Sequence, residues 1–240
     1  MDELGHGEIL RKGAEQFGAA LDDSQVGMFM RYRDLLKEWN EKFNLTAIED
    51  DRDIVIKHFI DSLTILPYMK NQGISLIDVG TGAGFPGIPV KIAFPSINVT
   101  LADSLEKRVT FLNEVIRELG LEGITAVHAR AEDLGQNGGF REKFDVSTAR
   151  AVANLPVLLE YCLPLVKPGG VFIAMKGSST DELKESGKAL QVLGGEFLHV
   201  DELTLPFSDI KRNNIMIKKL RHTPTNYPRK AGKPSKNPLV

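Results

Sequence analysis

Four short clusters in this 240-residue chain place acids, glycines or an arginine where an extended run ends. The first is Leu76-Ile-Asp-Val-Gly-Thr-Gly-Ala-Gly-Phe85, in which Asp78 stands just before a turn built on Gly80, Gly82 and Gly84. Glycines in such a turn let the backbone approach a ligand closely, because no Cβ stands in the way. Its N–H groups, and the helix start behind them, would receive a carboxylate. Pro86 and Pro89 suit the first turn of that helix, where a missing N–H costs little. The second cluster is Asp103, about 20 residues past the glycines, an acid suited to accepting from ribose hydroxyls. The third is His128-Ala-Arg-Ala131-Glu132-Asp133, and the fourth is Asp145-Val-Ser-Thr-Ala-Arg150. Each also has a purely structural reading. Asp103 serves equally well as a cap for a helix after Ser104, Glu132 or Asp133 as a cap near Leu134, and Arg150 as a partner of Asp145 or of a helix carboxylate. A shared register favours a site: all four clusters leave strands at the same end.

The elements that must position these residues follow from periodicity. Up to residue 70 the apolar pattern is helical. Val26, Phe29, Met30, Leu36, Trp39 and Phe43 recur at three- and four-residue steps, and a second face runs through Ile54, Val55, Phe59, Leu63 and Leu66 to Pro67. His58 and Asp61, three apart on that second helix, could reach the mouth of a pocket, with a satisfied helix-surface pair as the favoured reading. From residue 74 the pattern alternates. Strands are expected at 75–79, 98–102, 124–129, 144–148 and 171–175, and helices at 84–94, 105–119 and 153–166. Lys167-Pro-Gly-Gly170 reads as a turn, and 196–205 and 214–220 as a final antiparallel pair. Short apolar strands alternating with helices give an α/β fold, a doubly wound and mostly parallel sheet covered on both faces. Ligands bind such sheets beyond the carboxyl ends of the strands, at the switch in strand order. The expected organisation is a helical extension over 1–70, a ligand-binding domain over 71–222 and a basic tail over 223–240.

Composition narrows the setting. Cys162 is the one cysteine, which excludes an internal disulfide framework and fits a reducing compartment. No run approaches the roughly 18 apolar residues of a membrane span, and the acidic start lacks the features of a secretory signal. A cytoplasmic protein is expected. The net charge of −2 conceals a division: residues 210–240 carry nine lysines and arginines and no acid, leaving −11 on residues 1–209. A basic end on an acidic body suggests a polyanionic partner held at one place. Four prolines and no apolar period after Thr223 predict a tail that is extended or disordered when free. The five histidines are scattered without ligand spacing, so no metal site is expected.

Dinucleotide folds use G-x-G-x-x-G, and the third glycine of that pattern would fall at Phe85. Here it comes one residue early and an acid precedes the first, an arrangement that resembles motif I of class I S-adenosylmethionine-dependent methyltransferases. The likeness then becomes closer. Asp78-Val-Gly-Thr-Gly-Ala-Gly-Phe-Pro-Gly-Ile-Pro, Ala131-Glu-Asp and Ser147-Thr-Ala-Arg150-Ala resemble the bacterial small-subunit rRNA guanine-N7 methyltransferases. So do Trp39-Asn-x-x-Phe-Asn-Leu-Thr-Ala-Ile48, Lys57-His-Phe-Ile-Asp-Ser-Leu63 and Tyr227-Pro-Arg-Lys-Ala-Gly-x-Pro, and the likeness covers nearly the whole chain.

The resemblance implies transfer of a methyl group from S-adenosylmethionine to N7 of one guanine in 16S rRNA. It assigns to the cofactor Asp78, Gly80, Gly82, Gly84, Phe85, Asp103, Ala131, Glu132 and Arg150. Gly80 and Phe85 would flank the methionine portion, Asp103 the ribose, and Ala131 and Glu132 the adenine. Arg150 and Phe85 would position the reacting groups, with no residue assigned to acid–base catalysis. Guanine N7 offers an in-plane lone pair at neutral pH, so attack on the methyl needs alignment and no base. Alignment alone supplies on the order of 7–11 kcal/mol in ideal cases. A pyrimidine C5 target would need a nucleophilic cysteine, and Cys162 lies in an apolar helix. An exocyclic-amine target commonly comes with an Asn/Asp-Pro-Pro-aromatic turn, whereas Arg150-Ala-Val-Ala-Asn154 stands there. Phe85 is the aromatic candidate beside the base, with plain packing as its other reading. Lys211, Arg212, Tyr227, Arg229, Lys230, Lys233 and Lys236 are expected to grip RNA phosphates. Cutting after Thr223 should then weaken RNA binding and spare cofactor affinity. A small-molecule methyltransferase, a non-catalytic ribosome assembly factor and an NAD-linked oxidoreductase are the competing readings. The basic end, the intact glycine turn with its acids, and the glycine spacing count against them in that order.

Overall fold

The computed structural model describes residues 4–69, 73–150, 152–177 and 181–240. The N-terminal part comprises α1 (His6–Glu15), α2 (Asp23–Phe43) and a continuous helical run of α3 (Asp51–Ile54), a π-helical stretch Val55–Ile60 and α4 (Asp61–Leu63). α2 begins at a capping box: Gln25 N donates to Asp22 Oδ1 at 2.8 Å, and Asp22 N donates to Gln25 Oε1 at 2.9 Å. It ends at Asn44, whose φ of 49° lies in the left-handed region. No strand occurs among the described residues of this part.

Strands and helices then alternate: β1 (Ser75–Val79), α5 (Gly87–Ala93), β2 (Asn98–Asp103), α6 (Glu106–Glu118), β3 (Ile124–His128) and α7 (Ala131–Gln136). There follow β4 (Phe144–Arg150), α8 (Leu155–Cys162), β5 (Val166–Lys176), α9 (Gly187–Leu193), β6 (Gly195–Thr204), β7 (Lys211–Lys219) and α10 (Lys233–Lys236). The strands form one sheet in the order β3-β2-β1-β4-β5-β7-β6. β1 to β5 run parallel, and β7 is antiparallel to both β5 and β6. Strand order reverses between β1 and β4, which defines the switch point.

The period-2 alternation of each strand divides the core in two. Leu76, Val99, Leu101, Val146 and Ile173 face α5, α6 and the N-terminal helices. Ile77, Val79, Ala102, Ala149 and Phe172 face α7, α8 and α9. Several boundaries differ from expectation, and those of β4 and β5 bear on the site. β4 runs on to Arg150, which pairs with Met175, so the arginine is itself a strand residue. β5 starts at Val166 and carries Lys167-Pro-Gly-Gly170 within it. Phe144 pairs with Val166 and Val146 with Val171, so this run is an irregularity in the β4–β5 pairing rather than a turn before the strand.

Candidate active site

Two cavities open at the carboxyl ends of the strands. The first, of about 240 Å³, is bounded by Val79 and Gly80 from β1 and its turn, by Ala102, Asp103 and Ser104 from the end of β2, and by Ala129, Arg130, Ala131 and Glu132. Val152, Ala153, Tyr161, Gly232 and Ser235 complete it. Gly80 has a φ of +70°, and a Cβ there would lie 2.7 Å from Val152 Cγ2, so both conformation and space demand glycine. Asp103, 2% exposed, braces the turn: Gly82 N donates to its Oδ2 at 2.9 Å, and Leu105 N donates to its Oδ1 at 2.9 Å. Arg108 Nη1 lies 3.3 Å from Oδ2. A carboxylate has about four acceptor sites, so Asp103 keeps capacity for a ligand hydroxyl while it also holds the start of α6.

Asp78 is fully buried beneath the same turn. Its Oδ2 accepts from Thr81 Oγ1 at 2.6 Å and from Gly87 N at 2.9 Å, while Oδ1 has no hydrogen-bond partner among the described residues. Burial raises its pKa to about 6, against the pull of those two donors and of Arg150.

The second cavity, of about 410 Å³, is lined by Ile48, Lys57, His58, Asp61, Arg150, Met175, Lys176, Gly177 and Arg212. Its frame is a buried ion network. Asp61, 2% exposed, accepts from Arg150 Nη1 at 3.1 Å and from Arg212 Nε at 3.1 Å. Arg150 Nη2 lies 3.1 Å from His58 Nδ1, and its Nη1 donates to Lys57 O at 3.2 Å. The His58 ring stacks on Phe85, 4.3 Å between centroids and 10° between planes, and the Arg150 guanidinium carbon lies 5.1 Å from the same ring. The end of β4 joins the two cavities, Arg150 lining the second and Val152 the first.

Comparison with known proteins decides the family. Residues 25–213 match the family model described as rRNA small subunit methyltransferase G. A protein of Acetivibrio thermocellus named ribosomal RNA small subunit methyltransferase G is 64% identical, over 99% of this chain and 98% of that protein. One of the same name from Alkaliphilus oremlandii is 52% identical, over 97% and 98% respectively. The chain belongs to the rRNA small subunit methyltransferase G family. Its fold is that of class I methyltransferases. A SAM-dependent methyltransferase from Aquifex aeolicus superposes with a TM-score of 0.54 at 18% identity, over 72% of this chain and 96% of that one.

The first cavity fits S-adenosylmethionine, the cofactor of these enzymes. It offers a glycine cradle that a Cβ would fill, an acid for a ribose diol, small apolar walls for a purine, and behind the turn an orphaned buried acceptor, Asp78 Oδ1. Of the nine residues assigned to the cofactor from sequence, Gly80, Asp103, Ala131 and Glu132 line this cavity. The others stand elsewhere. Gly84 has a φ of +100°, and a Cβ there would lie 2.6 Å from the Tyr32 hydroxyl, so that glycine admits the N-terminal helix. Phe85 is 5% exposed and packs among Tyr32, His58 and Phe59, in keeping with the plain-packing reading of this residue. Arg150 lines the second cavity, not the first.

His58 and Asp61 line the second cavity, the reading that sequence favoured less than a helix-surface pair. Asp61 is buried and His58 half-buried, and both contact Arg150, His58 from within the π-helical stretch, a distortion common at functional sites, and Asp61 from the first residue of α4. The tail, expected to be extended or disordered when free, is anchored on the rest of the chain. Arg229 is held by Glu160, its Nε and Nη2 donating to both carboxylate oxygens at 2.6–3.1 Å. Gln136 Nε2 donates to Pro228 O at 2.8 Å, and Arg141 Nη1 to Tyr227 O at 2.7 Å. Arg229 and Arg212 are thus engaged in ion pairs and Tyr227 is half-buried, while Lys211, Lys230, Lys233 and Lys236 are exposed. Among the described residues, no group of three or more His, Cys, Asp or Glu side chains is arranged to hold a metal, and no helix is long and apolar enough to cross a membrane.

Proposed function

We propose that this protein transfers the methyl group of S-adenosylmethionine to N7 of a guanine in 16S ribosomal RNA, within the small subunit or its RNA. The observation that carries this reading is the near end-to-end match to a 64%-identical relative named ribosomal RNA small subunit methyltransferase G. The two adjoining strand-end cavities support it, one lined by the glycine turn, Asp103 and Glu132 that suit the cofactor and one beside it, lined by Arg150 and His58, that can receive an extruded base.

When bound, S-adenosylmethionine supplies an electrophilic methyl on a sulfonium. Gly80 and the neighbouring backbone hold its amino-acid portion, Asp103 its ribose hydroxyls, and Ala131 with Glu132 its adenine. The guanine enters the second cavity beside Arg150, His58 and Lys176. N7 must stay free to react, so arginine or lysine donors reach O6 or a flanking phosphate. Asp61 fixes Arg150 and Arg212 before RNA arrives, so their orientation need not be bought with substrate binding energy. No base is required, and His58 is not poised as one: burial and the charge of Arg150 lower its pKa to about 3. The exposed Lys211, Lys230, Lys233 and Lys236 contact RNA phosphates.

The test is transfer of labelled methyl from S-adenosylmethionine to small-subunit particles that lack the modification, with naked rRNA and small-molecule acceptors alongside. Nucleoside digestion followed by mass spectrometry should find the label as 7-methylguanosine. Label in another nucleoside would overturn the target atom, and transfer to none of the RNAs would overturn the substrate class.

A further inference from the structure

The first cavity has one wall that sequence reading assigned to another partner. The C-terminal segment crosses α7 and α8 and is pinned on both sides of that cavity. Before it, Arg229 grips the buried Glu160, and Pro228 packs so closely on Gly135 that a Cβ there would lie 2.6 Å from the proline ring. After it, Leu239 is buried in the core with α8. Between these anchors Gly232 N donates to Glu132 Oε1 at 2.9 Å, and Ser235 Oγ lies 2.8 Å from the Tyr161 hydroxyl. All four residues of these two contacts line the first cavity.

We propose that residues 232–235 form a cofactor-binding element, a strap closing the adenine end of the pocket, so that docking of the C-terminal segment and binding of S-adenosylmethionine reinforce each other. The inference rests on the reading of the first cavity as the cofactor pocket. Glu132 is one of the residues placed against the adenine, and the strap determines where its carboxylate points: with one oxygen on Gly232 N, the other is left to the ligand. Releasing the strap removes Gly232 and Ser235 from the wall, opens the adenine site to water and frees Glu132 to turn. Linkage then requires the reverse: a ligand that binds only the strapped form must stabilise the strap. The lysines of the segment, Lys230, Lys233 and Lys236, are exposed and leave the inner face to Gly232 and Ser235.

The experiment uses the full chain. Calorimetry gives the Kd for S-adenosylmethionine in the wild type and in Arg229→Met, and trypsin digestion follows cleavage at Lys230 and Lys236 with and without saturating cofactor. Expected are slower tail cleavage of the wild type when cofactor is bound, and in R229M faster cleavage with a Kd raised about tenfold, within the usual range of coupled sites. Should R229M fail to melt cooperatively, Gly232→Val replaces it. That variant leaves the Arg229–Glu160 pair intact and strains only the φ of +78° from which the Gly232 N–H is presented. A Kd within twofold of the wild type, in whichever variant shows faster tail cleavage, overturns the proposal. So does a wild-type tail cleaved equally fast with and without cofactor. A wild type that binds no S-adenosylmethionine would instead overturn the reading of the pocket itself.

Discussion

Arg150 donates from Nη2 to Nδ1 of His58 across 3.1 Å. A guanidinium has donors only, so this bond makes Nδ1 the acceptor and puts the imidazole proton on Nε2. Nε2 lies 2.8 Å from Thr46 Oγ1 and donates to it. Burial and the adjacent cation keep the ring neutral, with its pKa lowered to about 3. The pair is therefore a fixed structural unit: a neutral ring stacked on Phe85 that orients a guanidinium at the edge of the second cavity.

It follows that His58 does not titrate in the working range. The single-turnover rate of methyl transfer should show no limb assignable to this residue between pH 6 and 8, and His58→Gln should keep the shape of the profile while lowering its height. A limb with an apparent pKa near 6.5 in the wild type that disappears in H58Q would contradict this. Stability has a defined sign. The unfolded chain protonates His58 near 6.5 and the native state only near 3, so this contribution is lost as pH falls through that window.

Asp78 behaves oppositely. Its native pKa of about 6 lies above the ordinary 3.8, so between those values the native state holds the extra proton, and this group's contribution to stability falls as pH rises. Cofactor affinity should move the other way if Oδ1 serves the cofactor's ammonium, directly or through water, because only the carboxylate attracts it. Between pH 7 and 5 the ionised fraction drops about tenfold, and affinity should weaken by up to that factor. In Asp78→Asn affinity should be weaker at pH 7.5 and nearly flat with pH. Calorimetric titration across the range checks both; a wild type whose Kd is constant from pH 5 to 7 would rule the role out.

What could be read from sequence were the features encoded locally. The bounds of β1 follow from an apolar run meeting a glycine turn, and Asp103, Ala131 and Glu132 follow from the rule that ligands gather at strand ends. What could not be read depends on distant partners. Asp61 becomes a site residue only because Arg212, on β7, and Arg150, on β4, converge on it. The tail looks disordered by composition because its few anchors, Arg229 and Leu239 among them, find their partners elsewhere in the chain: Glu160 lies 69 residues before Arg229. The glycine turn shows a related ambiguity. Gly80 faces the ligand cavity while Gly84 faces Tyr32, and local sequence cannot tell a glycine that admits a ligand from one that admits a helix.

Asp61 should be a stability determinant as well as an organiser. It is the buried counter-ion of both Arg150 and Arg212, so Asp61→Ala leaves two guanidiniums without it. Removing one partner of a buried pair costs about 3–5 kcal/mol, and urea unfolding of D61A should show a loss of that order. Arg212→Met leaves Asp61 with Arg150 and should cost less. Its main effect should fall on RNA kcat/KM, with cofactor Kd unchanged, since Arg212 lines the second cavity and not the first. A D61A protein as stable as the wild type would show that the network does not hold this region together.

The cations of the tail separate RNA binding from cofactor binding. Lys230, Lys233 and Lys236 are exposed, whereas Arg229 beside them is engaged with Glu160. Replacing the three lysines by alanine should weaken RNA binding with little regard to sequence, because contacts to phosphate carry no base information. The slope of log K against log salt should fall by about 2, from roughly 0.7 per lost contact to single-stranded RNA. Cofactor Kd should stay within about twofold, since no lysine side chain of the segment lines the first cavity. Filter binding at several salt concentrations measures the slope. If the triple variant binds RNA as tightly as the wild type, with the same slope, phosphate contact belongs to cations elsewhere, such as Lys57 and Lys176 at the second cavity and the exposed Lys211, and the segment serves the cofactor alone.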